Sequence, residues 1–415
     1  MKERIFVGID VALREHRVAL IDEHGEALGR SFSIEASRKG FDKLLAALRK
    51  RGAEPELSLV GLEATGHLWE NLEAHLTSAG YRVVVLNPLQ TRRYRDVLRK
   101  KAKTDDIDAY VIAGLLRSGE AEAGYVPDEQ VQSLRELCRL RARLMRERQD
   151  YLRQLCAQLD VALPEHRALV GTLTTVRAQA ILSAFPTAVH LAKATPKAIA
   201  RAVAKAGSRG FSVDEAKRMR AVAKDSTFSG KAAEARGQVI RTLVAQMQRL
   251  SASVDDLDAA MQQTLSDVEP PDRDGPDDAE LLRSLPGVGP QTAATLLGEL
   301  GRLDRFRNAR ALVAYVGFHP VIAQSGERSA TPRLSPAGSN VARQALYMAA
   351  VNAMRRCPEM RTLYLRKRSQ GKAPKQALIS VAVKLLHTAY ALIKQRAHFD
   401  PSRLLVAPQP VSLSA

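Results

Sequence analysis

Short apolar runs in the first 90 residues predict strands, and two segments with helical spacing lie between them. In residues 38–51, Phe41, Leu44, Leu45 and Leu48 recur at intervals that place them on one face of a helix. Three strands, a helix, a strand, a helix and a strand is an order typical of an α/β domain with a mixed sheet. The predicted strands are residues 4–10, 16–22, 27–34, 57–63 and 81–87, and the predicted helices are 38–51 and 67–79.

From about residue 129 the apolar spacing becomes helical over long stretches. One stretch starts near residue 129 and a second covers 230–266, each with apolar residues on one face. Each is interpreted as one arm of a coiled coil or of a long helical hairpin. The alternative is a pair of ordinary amphipathic helices packed on a core.

Composition changes again near the C-terminal third of the chain. Residues 268–278 contain Pro, Gly and acids without periodicity, which predicts a linker. We therefore predict an α/β domain at residues 1–125, a helical or coiled-coil region with its linker at 126–278, a mainly helical domain at 279–398 and a tail at 399–415.

The overall charge indicates a polyanionic partner. The chain has 415 residues with 63 Lys and Arg against 45 Asp and Glu, a net charge of +18. On a folded protein such a charge favours nucleic acid as the partner. No apolar run approaches the length that spans a bilayer, so no membrane partner is expected. The three cysteines form neither a disulfide framework nor a zinc pattern, which favours a reducing, cytoplasmic location.

Four acids form the first candidate site. Asp10 and Glu63 end predicted strands, at the edge where α/β sheets carry their sites. Asp105 and Asp108 are three residues apart at the start of a later helix and would share one face, although Asp106 competes with Asp105 for the inward position. Four converging carboxylates need cations to stay ionised. Oxygen ligands suit Mg²⁺, and two such ions support phosphoryl transfer.

The order of these acids is that of ribonuclease-H-like nucleases: one after the first strand, one after the fourth and a pair on a later helix. The alternative is a set of unrelated surface acids, with Thr104 acting only as a helix cap.

Basic residues cluster beside the paired acids. Seven of the twelve residues from 92 to 103 are basic, and residues 355–375 hold eight basic residues and one acid. We expect such residues to contact the phosphate backbone without reading sequence. Arginines 139, 141, 143, 146 and 148 continue the pattern on the first long helix, where a solvated face is an equally good interpretation. The basic residues of the first cluster are Arg92, Arg93, Arg95, Arg99, Lys100, Lys101 and Lys103.

Two further motifs lie in the C-terminal domain. Leu285-Pro-Gly-Val-Gly-Pro290 is typical of a helix–hairpin–helix turn, in which Gly287 and Gly289 let the backbone approach a phosphate. A plain helix-packing turn is the alternative. Residues 317–340 form a long polar loop of the kind that is often functional. It contains Ser325, Arg328 and Arg333, and Arg343 and Tyr347 follow it. Tyr347 is a rival nucleophile to Ser325, although its apolar neighbours favour a core position.

Taken together, these motifs resemble the DEDD transposases of insertion-sequence family 110. The resemblance is carried, in the family's order and over nearly the whole chain, by Gly8-Ile9-Asp10, Glu63-Ala64-Thr65-Gly66, Lys103-Thr104-Asp105 with Asp108-Ala109, Leu285-Pro-Gly-Val-Gly-Pro290, Gln324-Ser325-Gly326 and Arg343-Gln-Ala-Leu-Tyr-Met-Ala-Ala350. Each motif is short, and their combination is specific.

The resemblance implies a RuvC-like nuclease domain, a coiled-coil dimerisation element and a C-terminal transposase domain. Asp10, Glu63, Asp105 and Asp108 would be the metal ligands, and Ser325 the nucleophile that bonds covalently to DNA. It also implies a homodimer or homotetramer with composite sites, a structured bridge RNA that selects DNA, and an enzyme located in the cytoplasm at the nucleoid. Ser329 and Ser335 lie in the same loop and stay open as alternatives to Ser325.

Two other functions remain open at the level of the sequence. A RuvC-like nuclease or junction resolvase would use a metal-activated water and would still cut with Ser325→Ala. A non-catalytic basic protein that binds nucleic acid would be unaffected by Asp10→Ala. The order of the four acids argues against the non-catalytic protein. Only the resemblance argues against the nuclease that uses water.

Overall fold

The chain is described from a computed structural model that covers residues 4–64, 66–98, 105–267, 276–318 and 338–404. It also covers four two-residue strands between 320 and 334, for which, as for Asp105, only the backbone is described. The chain separates into two compact units, Met1–Val126 and Pro127–Ala415. The first is α/β and the second is mainly helical, so the predicted fold class is confirmed.

The N-terminal unit is built on a five-stranded mixed sheet with the order β3-β2-β1-β4-β5. β1 is antiparallel to β2 and parallel to β4, and β4 is parallel to β5. This is the ribonuclease-H-like arrangement that the sequence predicted. The strands are β1 (Ile5–Asp10), β2 (Glu15–Ile21), β3 (Phe32–Glu35), β4 (Ser58–Glu63) and β5 (Arg82–Leu86), and the helices are α1 (Arg38–Lys50), α2 (Glu70–Ser78), α3 (Pro88–Val97) and α4 (Asp105–Ser118).

Both faces of this sheet are covered, because side chains alternate between faces along each strand. Val7 and Ile9 of β1 are fully buried in a core that includes Leu44 of α1 and Leu72 of α2. Phe6 belongs to the opposite face, in a core with residues of α4. The unit is therefore a three-layer sandwich with the sheet in the middle.

The predicted third strand, 27–34, is longer than the observed one. β3 begins at Phe32, and Ala27 makes only a single bridge to Ile21. Gly29 between them has a φ of +89°, which is left-handed backbone that interrupts a strand. The apolar pattern carried no information about that turn.

The second unit begins with a long antiparallel helical hairpin formed by α5 (Glu129–Ala162) and α11 (Ala233–Asp267). Arg141 on α5 binds Asp258 on α11 with a 2.5 Å contact, and Arg148 donates to Ser251 at 3.2 Å. Higher residue numbers on one helix pair with lower numbers on the other, so the helices run in opposite directions. Of the structures predicted for these two helices, the chain forms the long helical hairpin.

The far end of the hairpin carries a small bundle of five helices. The end of α5 and the start of α11 supply Leu159 and Ile240 to its core, and both side chains are fully buried. This bundle is the alanine-rich region between the two long helices. Its helices are α6 (His166–Leu169), α7 (Val176–Ala184), α8 (Ala188–Lys193), α9 (Pro196–Lys205) and α10 (Val213–Lys224).

The near end of the hairpin joins a second, larger core. α5 supplies Leu134 and Cys138 to it, and burial raises the pKa of the Cys138 thiol to about 12. That thiol is therefore structural rather than reactive. The other members come from the end of α11, which supplies Met261 and Leu265, from connecting segments, and from α12 (Asp278–Ser284), α13 (Pro290–Leu300), α14 (Ala309–Val316), α15 (Asn340–Arg356), α16 (Pro358–Ser369) and α17 (Pro374–Gln395).

Among the residues described, α17 is the one helix long and apolar enough to cross a membrane. Its side chains Val381, Leu385 and Leu386 are buried in the larger core, against the other C-terminal helices. A core helix passes the same length and hydropathy test, and the packing of α17 shows that this is its role here.

Candidate active site and nucleic-acid interface

The packing of α4 on the sheet depends on two glycines that are neighbours in it. Gly8 on β1 is the register partner of Gly61 on β4. A Cβ on Gly8 would overlap the carbonyl oxygen of Ala109 and lie 2.5 Å from the backbone nitrogen of Ala113. α4 therefore crosses β1 at backbone contact distance. This close approach places the first turn of α4 at the edge where β1 and β4 end.

Asp10 and Glu63 lie on the same face of the sheet as this crossing. Each is two residues after one of the paired glycines, and residues two apart on a strand share a face. The last paired residues of β1 and β4 are Ile9 and Leu62, so the next residues, Asp10 and Glu63, lie beside each other. Neighbouring strands are about 4.8 Å apart. Asp108 immediately precedes Ala109, the residue that contacts Gly8. The fold thus brings three of the four predicted acids to one edge of the sheet.

Helix α3 supplies partners to two of these acids. The hydroxyl of Thr91 donates to the carboxylate of Glu63 at 2.6 Å. One turn later, the guanidinium of Arg95 lies 2.5 Å from the carboxylate of Asp108. Thr91 was missed by sequence reasoning, and Arg95 was expected to contact nucleic acid. Only the i, i+4 spacing of Thr91 and Arg95 could have indicated that they share a face.

Asp106 points to a different place, next to β2. It accepts a hydrogen bond from the Ser31 hydroxyl at 2.6 Å and a further bond from Arg17, the register partner of Asp10. These bonds, that of Ser31 first and that of Arg17 second, lower the pKa of the Asp106 carboxyl. Asp106 therefore anchors the start of α4 to β2, while the side chain of Asp105 lies outside the described part of the chain.

The donors at this edge suit a hard divalent cation. They are carboxylate oxygens from the ends of β1 and β4 and the first turn of α4, and Mg²⁺ prefers oxygen ligands. The side chain of Asp108 is only 9% exposed and already faces a positive charge, that of Arg95. Among the described side chains, which exclude that of Asp105, no three acids, histidines or cysteines are close enough to hold an ion. The residues present fit a cation chemically.

The Gly8 contact gives a direct test of this packing. We expect Gly8→Ala to destabilise the protein by about 3 kcal/mol, the upper end for overpacking, because the new methyl meets backbone that cannot move aside. Gly61→Ala is the matched control, since the atoms nearest to its Cβ would belong to the side chains of Ile112 and Leu116, at 2.8 Å, and not to backbone. It should cost about 1 kcal/mol. Chemical denaturation measures both, and equal losses would contradict the packing described.

The loop that carries Ser325 folds back on itself. An outer pair of strands, β6 (Pro320–Val321) and β9 (Arg333–Leu334), is antiparallel. Inside it lies a second antiparallel pair, β7 (Gln324–Ser325) and β8 (Arg328–Ser329). Ser325 is the register partner of Arg328, with two residues between them in sequence. The backbone thus places Ser325 at the end of the inner strand pair, beside an arginine.

The two ends of this loop are fastened together at the end of α14. Gly338 has a φ of +95°, and a Cβ there would lie 2.5 Å from the carbonyl oxygen of Val316. Arg343 donates to the same carbonyl at 3.1 Å. Ser339 caps α15 by accepting from the backbone N–H of Ala342 at 3.0 Å. Arg343 was expected to contact nucleic acid, and the structure shows it bonded to the base of the loop.

We therefore expect Gly338→Ala to impair catalysis far more than a glycine replacement elsewhere. The methyl would push the base of the loop from α14, and, with Ser325 as the predicted nucleophile, a displacement of about 1 Å there would cost about 10²-fold in rate. Gly371→Ala is the control, because Gly371 has a φ of +82° but nothing within 4 Å of a Cβ. Strand-transfer rates of the two variants provide the measurement, and similar rates would rule out this role for the loop base.

The segment predicted to be a helix–hairpin–helix turn consists of α12, residues 285–289 and α13. Gly287 has a φ of +81°, and a Cβ there would overlap the carbonyl of Ala349 and lie 2.6 Å from the nitrogen of Ala353. Its close approach is thus to α15 of the same chain. Gly289, which precedes the first residue of α13, has nothing within 4 Å of a Cβ position. Of the two glycines, Gly289 is the one open to an outside ligand.

The predicted basic surface is only partly a surface. Arg139 forms a two-pronged contact with Glu299, at 2.7 and 3.2 Å, and Glu299 is 3% exposed. Arg141 and Arg148 likewise contact α11, through Asp258 and Ser251, so these three arginines join helices inside the unit, which neither of the two sequence interpretations predicted. Arg92 and Arg93 are exposed on α3, as are Arg355, Arg356, Arg361, Arg366, Arg368, Lys372 and Lys375 around α16. Arg99, Lys100, Lys101 and Lys103, and the side chains of Arg328 and Arg333, lie outside the described residues.

Comparison with known families agrees with this organisation. A family model for DEDD transposases of the IS110 type matches residues 7–164, and one for the transposase IS116/IS110/IS902 family matches residues 279–365, together more than half of the chain. The chain belongs to the IS110 family of transposases. The first match includes most of the sheet, α3 and α4. The second includes the turn between α12 and α13, the loop that contains Ser325, and α15.

Two of the curated relatives align with this transposase over almost its whole length, and others align over part of it. The candidate transposase of the IS117 mini-circle from Streptomyces coelicolor is 29% identical over 96% of both chains. An uncharacterized protein of insertion element IS116 from Streptomyces clavuligerus is 26% identical over 96% of this chain and 97% of its own. A pilin gene-inverting protein of Moraxella bovis is 35% identical over 29% of this chain and 38% of its own. Members of the family recombine DNA, and DEDD transposases generally use divalent metal ions.

Proposed function

We propose that this transposase moves its own element by Mg²⁺-dependent strand cleavage and rejoining through a covalent bond between Ser325 and DNA. The observation that carries the proposal is the convergence of Asp10, Glu63 and Asp108 at one edge of the sheet. Asp105 completes the predicted set of four acids. When bound, Mg²⁺ would neutralise charge on a phosphodiester and promote displacement at its phosphorus.

The protein's own residues have separable roles in this scheme. Asp10, Glu63, Asp105 and Asp108 would hold two Mg²⁺ ions, and the acids' place at the edge of the sheet sets where the phosphodiester would bind. The hydroxyl oxygen of Ser325 attacks the phosphorus and gives up its proton, while the bond to the leaving DNA oxygen breaks and that oxygen takes up a proton to become a free DNA hydroxyl. A second DNA hydroxyl then attacks the phosphoserine and releases Ser325. The number of phosphodiester bonds is unchanged, so rejoining needs no external energy source.

Nucleic-acid contacts are proposed for both units. Arg92 and Arg93 are exposed on α3, the helix that also contacts the acids. With Arg95, Arg99, Lys100, Lys101 and Lys103, they would hold the phosphate backbone near the acids. In the second unit, Gly289 and the basic residues around α16 would do the same, together with Arg328 and Arg333. A structured bridge RNA would select target and donor DNA.

Each predicted domain would have its own role. Residues 1–125 form the nuclease domain, and 279–398 form the transposase domain that carries Ser325. The helical region at 126–278 would pair protomers in a homodimer or homotetramer, so that the acids of one protomer act with the serine of another. The enzyme would act in the bacterial cytoplasm, at the nucleoid.

A reconstituted strand-transfer reaction tests this function. Purified transposase with its copurified RNA is mixed with labelled element-junction and target DNA, with either MgCl₂ or EDTA. We expect joined recombinant strands with MgCl₂, none with EDTA, and loss of the product after RNase treatment. Nicked strands with free ends and no joined product would show a water-using nuclease instead. Joined strands after RNase treatment would remove the guide RNA from the proposal.

A further inference from the structure

Arg95 occupies a special position among the basic residues of α3. Arg92 and Arg93 on the same helix are exposed, whereas the Arg95 side chain is 18% exposed and points at the acids. It lies one turn after Thr91, which contacts Glu63. One face of α3 is therefore directed at the proposed metal site. On this face the neutral hydroxyl of Thr91 contacts Glu63, and the positive guanidinium of Arg95 contacts Asp108.

The pairing of Arg95 with Asp108 is explained by burial. The Asp108 side chain is 9% exposed, and its Oδ1 atom, 2.5 Å from Arg95, is closed to solvent. A buried carboxylate is strongly disfavoured unless a positive charge neutralises it. In a chain without a bound ion, Arg95 provides that charge. A divalent cation bound to the same carboxylate would also provide a positive charge. Arg95 and the ion are therefore alternative partners of Asp108.

We propose that Arg95 holds Asp108 in the metal-free protein and is displaced when a divalent cation binds, so that Arg95 lowers the apparent metal affinity. This inference rests on the proposed function, in which Asp108 is a metal ligand. Displacement leaves the guanidinium beside the site, on the helix that already exposes Arg92 and Arg93. Arg95 then joins these two as a contact for the DNA phosphate, which couples loading of the ion to capture of DNA.

A thermal-unfolding titration of the full-length protein with MgCl₂ tests the inference without an activity assay. An ion that binds only the folded state raises the melting temperature with its concentration, which yields an apparent Kd. Wild type, Arg95→Gln and Arg92→Gln are compared, from EDTA to high MgCl₂. Arg92 is the matched control because it is exposed on the same helix.

We expect Arg95→Gln to melt below wild type in EDTA, because Asp108 loses its compensating charge. Its apparent Kd for Mg²⁺ should be tighter by about tenfold, within the range typical of coupled binding events. Arg92→Gln should match wild type in both measurements. If Arg95→Gln does not fold, Arg95→Lys serves, since a lysine cannot form the same planar contact and should shift the Kd in the same direction by a smaller factor.

An unchanged or weaker Kd in the Arg95 variants, with normal Mg²⁺ binding by wild type, would overturn this inference and leave the proposed function intact. Failure of all three proteins to bind Mg²⁺ would overturn the proposed metal site and the inference with it. The two failures are therefore distinguishable in one experiment.

Discussion

Asp10→Asn is expected to reduce strand cleavage by at least about 10³-fold, which corresponds to about 4 kcal/mol of lost transition-state stabilisation. Asp10 lies at the end of β1, beside Glu63 and under the first turn of α4. The substitution keeps the side chain's size but removes the negative charge that would hold an ion. DNA affinity should change by less than about threefold, because basic residues elsewhere hold the backbone. Cleavage of labelled DNA and a gel-shift titration measure the two effects.

Asp22→Asn is the control for this loss. Asp22 follows β2, which is antiparallel to β1, so it lies at the opposite edge of the sheet. It accepts turn hydrogen bonds from the backbone of His24 and Glu26, which asparagine can also accept. The cleavage rate of Asp22→Asn should stay close to that of wild type. Cleavage by Asp10→Asn at more than a tenth of the wild-type rate would remove Asp10 from the proposed site.

Ser325→Ala is expected to abolish the covalent protein–DNA adduct and cleavage together, because alanine has no oxygen to attack the phosphorus. The substitution lies on a short strand pair of the loop, away from the fastening of the loop to α14. Folding and DNA binding should therefore be close to those of wild type. A denaturing gel with protease-treated and untreated samples detects the adduct, and circular dichroism checks the fold.

Ser329→Ala is the matched control, since Ser329 lies on the opposing strand of the same inner pair, opposite Gln324. It should form the adduct at nearly the wild-type level. Cleavage by Ser325→Ala without an adduct would replace the serine mechanism by attack of water. Loss of the adduct in Ser329→Ala alone would transfer the role of nucleophile to that residue.

Much of the N-terminal fold could be predicted because its signals are local. Strand periodicity and the acids that end β1 and β4 are visible in the sequence, and their spacing along the chain already implied an α/β sheet. The partners of those acids could not be predicted. Thr91 and Arg95 reach Glu63 and Asp108 only because α3 lies beside the end of β4 and the start of α4, and that packing is tertiary. The same holds for the bonds of Arg17 and Ser31 to Asp106.

The long helices show a second limit of sequence reasoning. Their apolar stripe predicted that they pack, but a coiled coil between chains and a hairpin within one chain bury the same stripe. The deciding contacts, such as that of Arg141 with Asp258, join residues more than a hundred positions apart. Arg139 was similarly ambiguous as a surface cation until Glu299 was placed beside it. Charge counts alone cannot separate a surface arginine from one that joins two helices.

Mass spectrometry of the isolated protein–DNA adduct tests the central claim most directly. The adduct formed with MgCl₂ and labelled junction DNA is digested with nuclease and protease, and the modified peptide is sequenced. We expect the nucleotide remnant on Ser325, in the peptide that ends at Arg328, because trypsin cleaves there. A remnant on Ser329, Ser335 or Tyr347, or cleavage that yields no modified peptide, would contradict the account.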